Sequence, residues 1–338
     1  MTENTIKSTK YKVRNTKLKI SSSITANYIK MKFLQLIRYK NLLLLALMQL
    51  VFRFGYLELI KIPLSLFYWQ YSLLIAATVF IAAGGYIIND IFDQESDEVN
   101  RPDKVIIGKY ISESKAYNLY AGLTITGVAC GFILANSVDH ANFAVLFILI
   151  ATLLYFYAST LKQIALVGNI VVAALLAFSV IIIGVFDIFP NTFAINQQQM
   201  SLAFTILLDY AKFAFCINLV REIIKDIEDI EGDKVQGMGT LPIVIGIEKT
   251  SKIAFALLLL PTLYLLYYTY NYLFENNLFY AIAYLLVLVI SPLFFCIVKI
   301  WNAKEKNDFH SISTVLKWII FFGILSVAVV TLNILHHA

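Results

Sequence analysis

The chain has 338 residues, 59% of them hydrophobic and 14% charged, with a mean hydropathy of +0.75, which excludes an ordinary soluble domain and implies a polytopic membrane protein. The net charge of +5 does not argue for nucleic acid, because the basic residues collect in an N-terminal arm and in alternate loops, where membrane topology explains them. Cys130, Cys216 and Cys296 all fall inside apolar runs and behave as small hydrophobes, so no disulfide or cysteine-metal framework is suggested.

Residues 1–30 form a polar arm with Lys7, Lys10, Lys12, Arg14, Lys17 and Lys19 against one acid, Glu3. The arm is expected to be disordered. It lacks the apolar core and cleavage site of a signal peptide, so it is expected to stay on the mature protein at the cytoplasmic surface.

From residue 31 to 338 the chain reads as one membrane domain. Nine apolar windows reach spanning length, near 36–56, 69–89, 116–136, 141–159, 165–186, 201–220, 251–272, 278–300 and 315–335. Strand alternation is absent, and the segments are too long for a membrane barrel, so the expected fold is an all-α bundle. With the N-terminus inside, the loops near 90–115, 160–164, 221–250 and 301–314 are cytoplasmic and hold most of the loop Lys and Arg, whereas 137–140, 187–200 and 273–277 hold none. Arg53 and Lys61 are the main exceptions.

The first span opens on Arg38, Tyr39, Lys40 and Asn41 and carries Gln49 inside it. Arg38 and Lys40 read equally as interfacial anchors or as substrate contacts, and Asn41 and Gln49 as bundle-facing polar groups. The second span runs into Asn89, Asp90, Asp93 and Asp97, followed by Asn100, Arg101, Pro102, Asp103 and Lys104. The fourth span ends on Tyr155, Tyr157 and Lys162, before Gly168 and Asn169; an aromatic belt with an inside lysine is the plain reading of that stretch. The sixth span leads through Arg221, Glu222 and Lys225 into Asp226, Asp229 and Asp233, then a glycine-rich loop.

Both aspartate trios share the spacing i, i+3, i+7, which at helical pitch puts each trio on one face of its helix. The charge asymmetry puts both on the same side of the membrane. A lone acidic trio is readily a solvated helix end, but two with identical spacing point to a shared task. Carboxylates this close repel unless a divalent cation compensates them. Oxygen ligands suit Mg2+, which bridges to phosphate oxygens, while neighbouring Arg and Lys grip the same anion. A diphosphate with an isoprenoid tail explains why such a site sits on a membrane bundle: the tail lies among apolar helices and the head stays at the interface. Transport of a cation is the non-enzymatic alternative, but it predicts acids near the midplane of several helices rather than two trios at one surface.

At these residues the chain resembles the UbiA superfamily of intramembrane prenyltransferases. The motif N-D-x-x-D-x-x-x-D is met by Asn89, Asp90, Asp93 and Asp97, and the second aspartate motif by Asp226, Asp229 and Asp233. Asn100-Arg101-Pro102, the Y-x-x-x-x-K element Tyr157 to Lys162, Gly168-Asn169 and the T-L-P-x-x-x-G run Thr240 to Gly246 extend the likeness, which covers the chain from about residue 33 onward. The residues around Arg38, Asn41 and Gln49, with Arg221 to Asp229, are most similar to the geranylgeranylglycerol-phosphate geranylgeranyltransferase branch. Two departures stand out: Tyr39 where a proline is common, and Lys104 in place of a second arginine, which keeps charge but loses the planar fork.

The resemblance implies a nine-helix bundle with a central cavity and Mg2+-dependent transfer of a prenyl group from its diphosphate to a lipophilic acceptor, in the cell (inner) membrane with the site on the cytoplasmic side. Asp90, Asp93, Asp97, Asp226, Asp229 and Asp233 would hold the metal, with Asn89 orienting the first trio. Lys162, Arg101, Arg221 and Lys225 would bind the donor's phosphates, and Tyr155 or Tyr157 would face the allylic cation. Arg38, Asn41, Lys104 and Asn169 complete the expected substrate contacts, with Arg38, Lys40, Lys104 and Lys109 offered to a phosphate on the acceptor. The acceptor read from the branch is geranylgeranylglycerol phosphate; the alternative is an aromatic acceptor, as in quinone or haem biosynthesis.

Overall fold

A computed structural model describes residues 30–337, so most of the N-terminal arm lies outside the described residues. Among the described residues nine helices are long and apolar enough to cross a membrane: α1 Tyr39–Leu57, α2 Tyr68–Phe92, α3 Glu113–Ser137, α4 Ala141–Ser159, α5 Val167–Asn191, α6 Gln197–Glu228, α7 Ile247–Phe274, α8 Phe279–Asn302 and α9 Lys306–His336. They match the nine apolar windows one for one. The main difference is at the ends: α6 continues to Glu228 and α9 begins at Lys306, because a helix that has satisfied its backbone groups internally gains nothing by stopping at the hydrocarbon boundary. Among the described residues the only β pairing is two isolated bridges, Ile107 with Ile111 and Ile164 with Gly239.

Helices α2 and α3 pack side by side through small residues. A Cβ on Gly127 would lie 2.7 Å from Ile81 Cγ1 and 2.9 Å from the Ile81 backbone nitrogen, so the backbones approach as only glycine allows. Three buried apolar clusters then fill the bundle, the smallest around Leu36, Ile87, Ile88 and Ile106. Two are larger. One joins α1 to α6 around Phe52, Leu74, Phe147 and Phe186; the other joins α6 to α9 around Ile223, Leu258, Leu293 and Leu316.

Arg53, which ran against the charge asymmetry, is not a topology signal. It is buried at the end of α1, pairs with the fully buried Asp187 of α5, and donates through Nε to Glu58 Oε1 at 2.9 Å and through Nη2 to the Leu66 carbonyl at 2.9 Å. Asp187 also accepts from the Leu66 N–H at 2.9 Å, so one ion pair pins the α1–α2 loop onto α5. Its local charge is cancelled within the protein.

Helices α2 and α6 are both even-numbered in an up-and-down bundle, so they run parallel and end on the same side. Between them and α1, α4, α5 and α9 lies a cavity of about 860 Å³; α3, α7 and α8 do not reach it.

Candidate active site

The two trios are built alike, though not as a single helix face each. Helix α2 ends at Phe92 and Asp93 adopts φ −95, ψ 7; a further short helix, Gln94–Asn100, carries Asp97. The second trio repeats this: α6 ends at Glu228, Asp229 adopts φ −100, ψ 6, and Ile230–Val235 carries Asp233. The i to i−4 bonds nevertheless continue through both breaks, from Asp93 N to Asn89 O at 3.0 Å, Asp97 N to Asp93 O at 2.8 Å, Asp229 N to Lys225 O at 2.8 Å and Asp233 N to Asp229 O at 3.2 Å. Each break thus leaves the hydrogen-bond run intact, and all six carboxylates line the cavity. Spacing alone does not reveal the break, because the hydrogen-bond offset is the same on both sides of it.

A clasp joins the halves. Asn100 donates through Nδ2 to the Asp229 carbonyl at 2.8 Å and accepts through Oδ1 from the Gly232 N–H at 2.9 Å. The two short helices meet so closely that a Cβ on Gly232 would lie 2.3 Å from Asn100 Nδ2 and 2.5 Å from the Ser96 carbonyl oxygen. Across the same contact Ser96 Oγ donates to Asp233 Oδ1 at 3.4 Å, and Thr240 donates to Oδ2 at 3.3 Å.

Cations and amides hold most of the remaining carboxylates. Arg38, in the left-handed region at φ 50, donates Nη2 to Asp90 Oδ1 at 2.8 Å and lies over the Tyr86 ring. Asp93 takes the Lys162 ammonium on one oxygen and Asn89 Nδ2 on the other at 2.5 Å. Asn169 donates to Asp226 Oδ2 at 2.8 Å, and Arg101 grips both oxygens of Asp229, at 2.8 and 2.7 Å. The Asp97 carboxylate has no hydrogen-bond or ion-pair partner among the described residues.

The electrostatics favour a further cation. Burial, and after it the charges of Asp90 and Asp93, pushes Asp97 up to about 6. Burial, then Asp229 and Asp93, pushes Asp233 up to about 7. Asp229 is also raised, by burial first, with the Arg101 charge opposing. Protons are the substitute when no metal neutralises such a cluster.

The donor set fits Mg2+. It consists of carboxylate oxygens, it includes the unpaired Asp97, and three cations occupy acids that a metal could take over. Among the described residues no three acids converge as a ready-made cage. That agrees with a small ion that keeps waters and is completed by substrate phosphate oxygens rather than by protein alone.

Of the other expected residues, Asn41, Lys104, Tyr157, Arg221 and Lys225 line the cavity. Tyr155 does not: it points away, packed edge-on to Phe92 and stacked with Tyr120 at 6.5 Å. Tyr155 and Tyr157 are two residues apart and so face opposite ways on α4. Lys40 does not line the cavity, and Lys109 is exposed and caps the Pro102 carbonyl at 3.0 Å. Residue-by-residue reading missed Glu222, which accepts from Arg221 at 3.0 Å and Lys225 at 2.8 Å, Glu228, which bonds His310 Nδ1 at 2.9 Å, and Lys317, which donates to Asn41 Oδ1 at 2.7 Å. A signal existed only for Lys317, a charge inside the ninth apolar window.

Below the polar mouth the cavity becomes apolar, walled by Leu45, Ile81, Phe147, Leu154, Phe178 and Ile182. The site thus joins an acid-lined, cation-bridged rim to a greasy pocket within the bundle.

Comparison with known proteins gives the same outline. Residues 59–322 match the model of the UbiA prenyltransferase family. A digeranylgeranylglyceryl phosphate synthase of Saccharolobus solfataricus is 34% identical over 300 residues, which is 87% of this chain and 94% of that protein. One from Thermococcus sibiricus is 42% identical over 184 residues, 54% of this chain, and the match spans only 59% of the Thermococcus protein's length. The solved structure of a UbiA homolog from Archaeoglobus fulgidus bound to DMAPP and Mg2+ superposes with a TM-score of 0.53 at 17% identity, covering 87% of this chain and 99% of that one, and so shares the fold.

Proposed function

The chain belongs to the UbiA prenyltransferase family, and from that premise we propose that it transfers a geranylgeranyl group from its diphosphate to the free hydroxyl of geranylgeranylglycerol phosphate, with Mg2+, to give a diether lipid. The observation that carries this reading is the cavity itself: paired, clasped carboxylate trios at the rim and an apolar pocket beneath. The relatives named as digeranylgeranylglyceryl phosphate synthases support the choice of acceptor.

In this reading the isoprenoid chain lies along Phe147, Phe178 and Ile182, and the diphosphate sits between the trios. Mg2+ held by Asp90, Asp93, Asp97, Asp226, Asp229 and Asp233 would supply positive charge against the departing diphosphate. Lys162 and Arg101, now committed to Asp93 and Asp229, turn to phosphate oxygens when the acids are otherwise engaged, and Lys225 adds a third donor one turn before Asp229. Asn89 and Asn169 keep Asp93 and Asp226 oriented. The C1–O bond breaks with its electron pair leaving on diphosphate, the acceptor oxygen bonds to C1, and its proton passes to the released diphosphate. The Tyr157 ring, on the cavity wall, presents a face to the positive carbon. The Lys and Arg asymmetry supports a cytoplasmic rim and N-terminus.

The test supplies purified protein with labelled geranylgeranyl diphosphate, Mg2+ or EDTA, and a panel of glycerolipid and aromatic acceptors, with products read by mass spectrometry. A diether product that needs divalent metal is expected. A prenylated aromatic and no diether would overturn the acceptor, and full turnover in EDTA would overturn the metal.

A further inference from the structure

The cavity is electrically divided. On the trio side the six trio carboxylates and Asp103 share the wall with Arg38, Arg101, Lys104 and Lys162. Where α1, α6 and α9 meet, the balance reverses: Arg221, Lys225 and Lys317 line the wall against one carboxylate, Glu222. Glu222 is already shared by Arg221 and Lys225. Lys317 bonds only the neutral Asn41 side chain, at 2.7 Å, and has no acidic partner among the described residues. The charges that act on it most are those of Arg221 and Lys40, both of its own sign. Arg221 adds an orphan: its Nε is buried with no hydrogen-bond partner. A lysine inside an apolar window, facing like charges beside a buried unsatisfied guanidinium N–H, is costly to keep unless an anion completes it.

We propose that Lys317, Arg221 and Asn41 form a phosphate monoester subsite, separate from the donor's diphosphate site, which seats the phosphate of the acceptor lipid. This rests on the glycerophosphate acceptor proposed above and deepens it. Arg221 lies five residues before Asp226, about 7.5 Å along the α6 axis, so an anion there stands apart from the trio yet within the reach of one glycerol unit and its neighbours. It is also one turn from Lys225, which keeps the donor and acceptor phosphates on adjacent cations. Asn41 fixes the Lys317 ammonium toward the cavity, and its amide N–H groups are the natural third donor. Sequence grouped Arg221 with the donor's phosphates because it adjoins the aspartate motif; the packing of α9 against α6 gives it a different neighbour.

The decisive variant is Lys317→Gln, which can still donate to Asn41 but carries no charge; Lys317→Arg restores charge. Kinetics on purified full-length protein use geranylgeranylglycerol phosphate and its dephosphorylated alcohol as acceptors. Lys317→Gln is expected to raise the KM for the phosphorylated acceptor by about tenfold or more, the loss typical of one charge-assisted hydrogen bond, with the donor KM held within about twofold. Preference for phosphate over alcohol should shrink by the same factor, and Lys317→Arg should recover most of it. A second readout needs no turnover: in EDTA and without donor, the phosphorylated lipid should raise the melting temperature of wild type and not of Lys317→Gln. Equal stabilisation of both proteins, no stabilisation of wild type, or a rise in donor KM in place of acceptor KM would overturn the subsite. If the phosphorylated lipid stabilises wild type alone yet only an aromatic acceptor is prenylated, the subsite stands and the proposed acceptor fails.

Discussion

Gly232→Ala tests whether the clasp between the two short helices assembles the metal site. A Cβ at this position would sit 2.3 Å from Asn100 Nδ2 and 2.5 Å from the Ser96 carbonyl oxygen. The Asn100 side chain cannot swing away without losing its bonds to the Asp229 carbonyl and the Gly232 N–H, and the Ser96 oxygen is backbone. Overpacking of this kind costs about 1–3 kcal/mol, and one lost hydrogen bond adds about 1, so the closed clasp weakens by about 2–4 kcal/mol. That is roughly a 30- to 800-fold shift toward the open arrangement, in which the trios no longer face one another. The cost falls on the clasp rather than on the helix bundle, so transfer at limiting Mg2+ should drop by more than an order of magnitude while the melting temperature in detergent moves little. Gly122→Ala is the control, since a Cβ there meets nothing within 4 Å; it should be neutral or slightly stabilising. The assay is labelled prenyl transfer across a Mg2+ titration, with thermal melts of the same preparations. Wild-type turnover by Gly232→Ala at limiting Mg2+ would refute the clasp as the element that brings the trios together.

Asp90→Ala and Asp226→Ala should each abolish transfer in protein that still elutes as a folded species; if either keeps near wild-type turnover, that trio is a solvated helix end after all. The acids also predict a pH dependence. Asp97 and Asp233 are raised to about 6 and 7, so the folded, metal-free protein holds protons that the unfolded chain releases from about pH 4 upward. Stability in EDTA should therefore fall as pH rises through that window, Mg2+ should counter the fall, and the Mg2+ needed for half-maximal transfer should increase as pH drops below about 7. Melts in EDTA from pH 5 to 8 check the sign, and Asp97→Asn or Asp233→Asn should flatten the curve. At the other end of the bundle, Asp187→Ala leaves the buried Arg53 charge facing only Glu58, and should cost about 3–5 kcal/mol of stability, read as a large loss of melting temperature. An unchanged melt would mean that this pair does not hold the loop to α5.

The architecture and the identity of the acids were legible in the amino-acid sequence. Each span needs about 20 apolar residues in a row, and each must satisfy its backbone within itself, so hydropathy alone yields nine helices and their order. The trios, Lys162 and Asn169 are short local patterns, and such patterns survive in one dimension. What only the tertiary structure decided are contacts between residues far apart in the chain. Arg38 meets Asp90 across 52 positions and Lys317 meets Asn41 across 276, by the rotation and packing of whole helices. Hydropathy carries no record of that rotation, and so it could not separate Tyr157, on the cavity wall, from Tyr155, two residues away and outside it. Nor could it show that Arg53 is neutralised by Asp187 rather than placed by topology, or that each trio is broken at its middle aspartate while both line one cavity. Spacing along one chain fixes which side chains share a helix face, and close packing between helices fixes what that face meets.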